Sequence, residues 1–355
     1  MKAKLVLLEG FLGSGKTTLM LALGRSFASR GLKTGYITND QGAYLVDTLF
    51  AQGQSSATAE VTGSCFCCNF PALADNIAGL QRAHEPDLII AEAVGSCTDL
   101  AATVVLPIQE GRGGELELAA YYVVVDGSRL ADEYSARMNL LDPRSPTETL
   151  LAHQIAEAET LVVTKLDCLD EEELAEGRNL LRRINPRARL FFCSARDGRG
   201  LEALLDDILG GRGVTVAGTP SLDYEVYAQA EAEYGWYNGQ WEEAEVGSDW
   251  ELFLRRLAEG IGAEIAHAKV LAESPERMLK VSLAGGRIER DEGRGRGGAG
   301  PTRVTLNVRA RSSPDRIVAA VEELIRDRRP AGYRFEALVP SPPSPTYRMS
   351  RSLGS

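Results

Sequence analysis

Over residues 1–212, short apolar runs recur without internal polar positions: Leu5 to Leu8, Leu88 to Ala91, Tyr121 to Val125, Leu161 to Val163 and Leu190 to Phe192. Runs of this kind predict strands buried on both faces of a parallel sheet, because alternation with polar residues appears only when one face is wet. Helical patterns lie between them, for instance Thr17 to Arg30 and Leu201 to Leu209. The alternation predicts a doubly wound, mostly parallel α/β domain over 1–212. Gly210-Gly211-Arg212-Gly213 through Gly218-Thr219-Pro220 has the glycine and proline density of a linker, so the boundary is expected at 213–221.

Beyond it the pattern changes. Asp249 stands as a capping residue before Trp250, Phe253, Leu254, Leu257 and Ile261, which share one helical face. Val304, Leu306 and Val308 alternate with polar residues as in a strand with one wet face. Ser313-Pro314 opens a second helix carrying Ile317, Val318, Val321, Leu324 and Ile325. A smaller α+β domain over 222–339, one sheet with two helices, follows from these elements. The Gly- and charge-rich stretch 285–303 reads as a flexible loop, and the Pro- and Ser-rich residues 340–355 as a disordered tail.

Composition adds exclusions. The 355 residues carry 39 Lys plus Arg against 50 Asp plus Glu, a formal charge of −11, with 44% apolar and 25% charged residues. That is ordinary globular composition and excludes bulk disorder. An acidic chain lacks the diffuse positive field that draws nucleic acid or anionic membranes, so neither is expected as a partner, and any polyanion must be held locally. Only four apolar residues separate Lys4 from Glu9, too few for a signal peptide, and no run approaches the ~18 of a membrane span. A soluble, cytoplasmic protein is expected.

A local anion site is present. Gly10-Phe11-Leu12-Gly13-Ser14-Gly15-Lys16-Thr17 fits the phosphate-binding G-x-x-x-x-G-K-[ST] pattern between an apolar run and a helix. Gly10, Gly13, Ser14 and Gly15 supply a backbone that curls round phosphates, and the helix N-terminus that runs on through Thr18 adds its dipole. Lys16 is placed to reach the β and γ phosphates and Thr17 to ligate Mg²⁺. Glu92 ends the run Leu88 to Ala91 and is expected in the metal's water shell or beside the attacking water. Asp126, at another strand end, reads as a structural cap. Thr164-Lys165-Leu166-Asp167 follows the run Leu161 to Val163. A carboxylate at Asp167 can accept both guanine N1–H and the 2-amino group, with the Lys165 stem along the base, which selects GTP over ATP. Ser194 and Ala195, after the next strand, suit a backbone contact to the guanine oxygen.

Three of the six cysteines, Cys65, Cys67 and Cys68, fall within four residues. Three soft thiolates this close suit Zn²⁺ or another thiophilic metal such as Co²⁺ and leave a coordination position open. Solvent, Glu92, Cys97 or a partner are the candidates for the fourth ligand. A redox couple and simple packing are the other readings of the cluster. Cys168 and Cys193 read as structural, and His84, His153 and His267 are isolated.

Taken together, GFLGSGKTT at 10–18, Asn39-Asp40-Gln41-Gly42 with Asp47 beyond, Cys65-x-Cys67-Cys68, Glu92-x-x-Gly95, Gln154-Ile155 and Thr164-Lys165-Leu166-Asp167 resemble the CobW/HypB/UreG/MeaB class of metal-centre GTPases, its CobW-like branch above all. The resemblance covers about residues 4–210. It implies a P-loop GTPase domain with a smaller C-terminal domain, and a metallochaperone or insertase in which GTP hydrolysis gates metal delivery to a client metalloenzyme or cofactor pathway. It further implies that Asp40 and Asp47 lie in the switch region around Mg²⁺, that the thiolates carry the metal, and that the chain forms a homodimer on GTP. A cobalamin- or corrinoid-dependent system is one client class it suggests. Rival readings are a GTP-regulated protein chaperone for such a system and a thiol redox switch. Ser64 stands where the family usually has glycine, and no His-rich stretch is present in the second domain.

Overall fold

The five apolar runs become strands of one seven-stranded sheet, four of them interior and the run Leu190 to Phe192 at its edge. Its strands are β1 (Lys4–Glu9), β2 (Thr34–Asp40), β3 (Thr58–Thr62), β4 (Leu88–Glu92), β5 (Glu117–Asp126), β6 (Thr160–Thr164) and β7 (Arg189–Phe192), in the order β3-β2-β4-β1-β5-β6-β7. The pairs β1–β4, β1–β5, β2–β4, β5–β6 and β6–β7 are parallel. The structure is a computed structural model that describes residues 4–40, 46–54, 57–114, 116–132, 138–243, 249–295, 297 and 300–352, without the side chains of 40, 53, 54, 131 and 132.

Four of the runs are buried as predicted, with every residue of β4 and β6 and Leu5 to Glu9 of β1 inside, whereas Leu190 to Phe192 of β7 are half-buried because that strand lies at the sheet edge. Each fully buried Leu or Val contributes about 1.5–3 kcal/mol relative to exposure. β1 lies between β4 and β5, which run away from it in opposite directions across the sheet, so the loop after β1 sits at the topological switch point where such folds bind ligands. The helix Lys16–Ser29 leaves that loop and buries Leu19, Met20, Leu23 and Phe27. β2 and β3, TGYITND and TAEVT, mix polar residues into short segments, so hydropathy does not announce them.

The second sheet is antiparallel. It comprises β8 (Gly235–Glu243), β9 (Ile265–Glu273), β10 (Arg277–Ala284), β11 (Arg287–Arg294), β12 (Thr302–Ala310) and β13 (Ala331–Leu338), in the order β11-β10-β9-β12-β8-β13. Helices Trp250–Ile261 and Pro314–Ile325, capped by Asp249 and Ser313 as the sequence indicates, pack Trp250, Phe253, Leu257, Ile317 and Val321 with Tyr237, Trp241, Val270 and Leu306 of the sheet.

The chain separates into two compact units. One takes Met1–Asn39, Ala57–Ala230 and Pro342–Ser355, the other Asp40–Ser56 and Glu231–Ser341. The expected division at 213–221 therefore differs from the structure in three places. Residues up to 230 stay with the first unit, partly because Tyr224 and Tyr227 hydrogen-bond to Asp99 and Thr98. The segment 40–56 joins the second unit, where the Val46 amide donates to Asn307 Oδ1 (2.8 Å). Residues 342–352, read from composition as disordered, return to the first unit through backbone hydrogen bonds such as Thr346 N to Cys67 O (2.8 Å) and Met349 N to Ala102 O (2.9 Å). No hydrophobic period encodes such long-range bonds. Within 285–303, read as a loop, β11 pairs with β10 along its whole length, and its charged sequence is that of a protected edge strand.

Candidate nucleotide and metal site

At the phosphate loop, Gly10 has φ 139° and a Cβ there would lie 2.1 Å from Val124 O, so no side chain is tolerated. Gly95 plays the corresponding part in the loop after β4: a Cβ would lie 2.8 Å from Leu12 N. That close approach brings the Glu92 loop against the phosphate loop. Lys16, at the head of its helix, donates from Nζ to Gly10 O (2.6 Å) and Phe11 O (3.3 Å), spanning the loop's curl. Thr17 Oγ1 donates to Glu92 Oε1 (3.0 Å), and both residues are buried. The first turn of the helix and the end of β4 thus bring together the hydroxyl and the carboxylate that the sequence assigns to Mg²⁺, and the hard oxygen donors fit that ion.

The guanine-motif segment is tied to the same loop. Thr164 Oγ1 donates to Ser14 O (2.7 Å) and Val125 O (3.2 Å). Lys165 adopts a left-handed backbone with φ 58° and its Nζ reaches Asp126 Oδ2 (3.0 Å). Asp167 is exposed, and Leu166 N bonds Cys193 O (3.1 Å), which joins this turn to the Ser194-Ala195 loop. Ser194 Oγ accepts weakly from Arg196 N and Asp197 N (both 3.3 Å), and Thr18 is half-buried on the helix. Asp126 is more than a cap for Ser128, since it also gathers Lys165 and Arg129. Arg129 was not legible in the sequence: it is 3% exposed and donates to the phosphate-loop carbonyl of Leu12 (3.2 Å). Its only sequence signal is its place just after a strand end.

The thiolate loop hangs from β2. Asn39 Nδ2 donates to Val61 O (2.9 Å) and Ser64 O (2.8 Å), while its Oδ1 accepts from Phe66 N (2.9 Å). One buried amide so shapes the turn that carries the cysteines. Cys65 and Cys67 are buried and Cys68 half-buried; the three sulfurs lie within 4.8 Å of one another. Cys65 Sγ is 2.8 Å from Cys67 Sγ, and Cys67 Sγ 3.8 Å from Cys68 Sγ. Hydrogen bonds from the Cys67, Cys68 and Cys97 thiols hold the Cys65 thiol well below the usual thiol range, while Cys65 pushes Cys68 up to about 11. The clustered sulfurs are those of Cys65, Cys67 and Cys68, the soft donor set a thiophilic metal needs, and Cys97 is fully buried on the loop after β4. Burial pushes Cys193 up to about 12, in keeping with a structural role.

The loop carrying Cys97 is itself held from below. Gln154 Nε2 donates to Cys97 O (2.6 Å), and the buried Glu157 accepts from Asp99 N (2.6 Å), Thr98 Oγ1 (2.8 Å) and Ala101 N (2.9 Å). Glu157 had no sequence signal beyond a helix end. Asp47 lies in the second unit, paired with Lys269 and with Lys280 (3.4 Å). Burial alone would raise its carboxyl, but the two ammonium groups outweigh that and hold it below the usual carboxylate range. Within that unit the structure thus gives Asp47 two lysine partners. The Asp40 side chain, with Gln41 and Gly42, lies outside the described residues.

A phosphate loop at a sheet switch point, a strand-end carboxylate bonded to its threonine and a guanine-type turn beside it define a P-loop nucleotide-binding domain. The family model of the CobW/HypB/UreG nucleotide-binding domain matches residues 4–192, and the chain belongs to this family. It is 29% identical over 218 residues to the zinc-regulated GTPase metalloprotein activator 1 of Dictyostelium discoideum, covering 54% of this chain and 45% of that one. It is 27% identical over 316 residues to the zinc chaperone CobW of a Sinorhizobium species (81% and 87% covered) and 28% identical over 197 residues to the zinc chaperone YjiA of Escherichia coli K12 (54% and 57%). The match spans about half the length of the Dictyostelium and E. coli relatives. No helix among the described residues is long and apolar enough to cross a membrane.

Proposed function

We propose that the protein binds and hydrolyses GTP with Mg²⁺ and uses the cycle to hold and release a transition metal, zinc or cobalt, for a client metalloenzyme or cofactor-dependent protein. The observation that carries this reading is the common anchoring of the two sites. Cys97 stands five residues beyond Glu92, which bonds Thr17, on a loop that Gly95 packs against the phosphate loop, and its thiol helps lower that of Cys65. The relatives named for zinc support the choice of metal.

In this reading Gly10, Gly13, Ser14, Gly15, Lys16, Thr17 and Thr18 cradle the phosphates, with Lys16 neutralising the charge that develops on the γ-phosphoryl group. Thr17 and Glu92 hold the Mg²⁺ shell, and Glu92 positions the attacking water. Asp40 and Asp47 complete the switch, Asp47 exchanging its lysine partners for the nucleotide-bound state. Thr164, Lys165, Asp167, Ser194 and Ala195 select guanine. Intrinsic hydrolysis is expected to be slow, about 10⁻² s⁻¹ or below without an activator. The metal is cargo, held by Cys65, Cys67 and Cys68 with Cys97 as candidate fourth ligand. GTP-dependent homodimerisation belongs to the same proposal.

The test is Co²⁺ titration of reduced protein with a GTP analogue or GDP, beside a variant with Cys65, Cys67 and Cys68 all replaced by alanine. Tight binding that needs the thiols and differs between nucleotides is expected, with metal changing analogue affinity by the same factor. Equal Co²⁺ affinity in both nucleotide states would overturn the coupling. Binding no tighter than in the triple variant would overturn the metal site and favour a redox pair, for which the 2.8 Å approach of Cys65 and Cys67 is the relevant observation.

A further inference from the structure

Of the three clustered thiols, Cys65 and Cys67 are enclosed and Cys68 is the one that reaches solvent. Residues 342–352 lie across that opening. The Ser344 amide donates to Cys68 Sγ (3.1 Å), the Thr346 amide to Cys67 O (2.8 Å) and Thr346 Oγ1 to Cys68 O (3.0 Å). Tyr347 then sets its ring edge-on to Phe70 at 5.4 Å, with the Arg112 guanidinium 5.0 Å from its centroid. Arg348 Nε donates to Asp99 Oδ2 (2.8 Å), Met349 N to Ala102 O (2.9 Å) and Arg351 N to Thr219 Oγ1 (3.0 Å). The segment therefore ties the thiolate loop to the loop that follows Glu92, and all of these residues belong to one unit.

We propose that residues 342–352 are a retaining strap on the thiolate site, in which the Ser344 amide positions Cys68 and sets how fast a bound metal leaves. An N–H donated to a ligand sulfur orients it and stabilises its thiolate form, the outer-shell role that commonly changes metal affinity 10- to 100-fold. Pro342, Pro343 and Pro345 surround Ser344, so the chain at this point offers the sulfur a stiff segment with a single amide donor among those four residues. Tyr347 and Arg348 pin the far side, and release of the metal past Cys68 requires the strap to lift. The inference rests on the metal reading above, and its test separates the two.

The full-length wild type is compared with Ser344→Pro, which deletes the amide donor, Ser344→Ala, which keeps it, and a Tyr347→Ala/Arg348→Ala double variant, each first checked for an unchanged melting profile. Two rates are measured: transfer of Co²⁺ from the thiolate site to a chelator, and alkylation of Cys68 by iodoacetamide in the metal-free protein, located by mass spectrometry. Release and alkylation at least tenfold faster in Ser344→Pro and in the double variant, with Ser344→Ala at the wild-type rates, are expected. Unchanged alkylation and unchanged release in both strap variants overturn the strap. Faster alkylation in a protein whose wild type takes up no Co²⁺ overturns the metal reading and leaves the strap standing as the cover of Cys68.

Discussion

Single side chains at the site have separable jobs. The exposed Asp167 carboxylate follows a left-handed Lys165 and can present two acceptors to guanine. Its replacement by alanine removes two charge-assisted hydrogen bonds, so GTP affinity should fall about 100-fold or more while ATP binding is little changed, measured by competition with a fluorescent nucleotide. Glu92 accepts from Thr17. Glu92→Gln keeps an acceptor of the same shape but loses the charge, and single-turnover hydrolysis should drop about 100-fold or more with nucleotide affinity within a few-fold. A variant that hydrolyses at the wild-type rate would remove Glu92 from the reaction. Glu92 was legible in the sequence because it terminates an apolar run, and Asp167 because it closes the Thr164-Lys165-Leu166-Asp167 segment that follows one. Arg129 and Glu157 were not, since the contacts that tie them to the site reach backbone groups far along the chain, Leu12 for one and Asp99 and Ala101 for the other.

At the scale of elements, loops are fixed by the strand ends beside them. Near the end of β2 stands Asn39, whose side-chain amide makes three hydrogen bonds to the segment that carries the thiols. Asn39→Ala leaves buried carbonyls and an amide without that partner, a cost of about 1–3 kcal/mol in the loop's order. The expected outcome is weaker Co²⁺ uptake and faster amide hydrogen exchange over residues 61–68, with the sheet's protection unchanged; equal exchange would deny Asn39 this role. The motif containing Asn39 is visible in the chain, but β2 itself is not, because its polar positions break the apolar pattern. The helix Pro146–Glu157 shows the opposite case. Its capping box, Ser145 with Glu148, is written locally and forms as written. What its last turn does, Gln154 and Glu157 holding the Cys97 loop, depends on the fold.

Across the whole molecule, buried charge couples stability to pH. Burial by itself lowers the His153 pKa, but the hydrogen bond and charge of Glu157, with Asp99 adding to them, leave it raised; Glu157 is lowered in spite of burial, by His153 first. A raised histidine pKa means that the folded state binds the proton more tightly. Its stabilisation is complete below the unfolded value near 6.5 and is lost as pH rises through the folded value. The Glu157 share is present above its unfolded value near 4.5 and is lost as pH falls. The melting temperature should therefore decline as pH rises from about 6 to 9, and His153→Gln should flatten that slope; a slope unchanged in the variant would place its origin elsewhere. Chain connectivity is the other property of this scale. The segment 40–56, between two strands of the first sheet, belongs to the second unit, where Asp47 meets Lys269 and Lys280.

By itself the sequence determined most of the buried strands, the phosphate loop, the turn at 164–167, the cysteine triplet, and the sheet with helices Trp250–Ile261 and Pro314–Ile325 in the second domain, but not the helix Val46–Gln54 that joins it. Each of these is encoded by residues close together in the chain, through hydrophobic period, capping chemistry or motif spacing. The tertiary structure alone decided that Asn39, Gln154 and Glu157 hold the two site loops, that Asp47 pairs with lysines of the second unit, and that residues 342–352 order themselves over Cys68. Those facts rest on hydrogen bonds and ion pairs between positions far apart in sequence, formed by single polar groups that carry no periodic signal until folding brings their partners within reach.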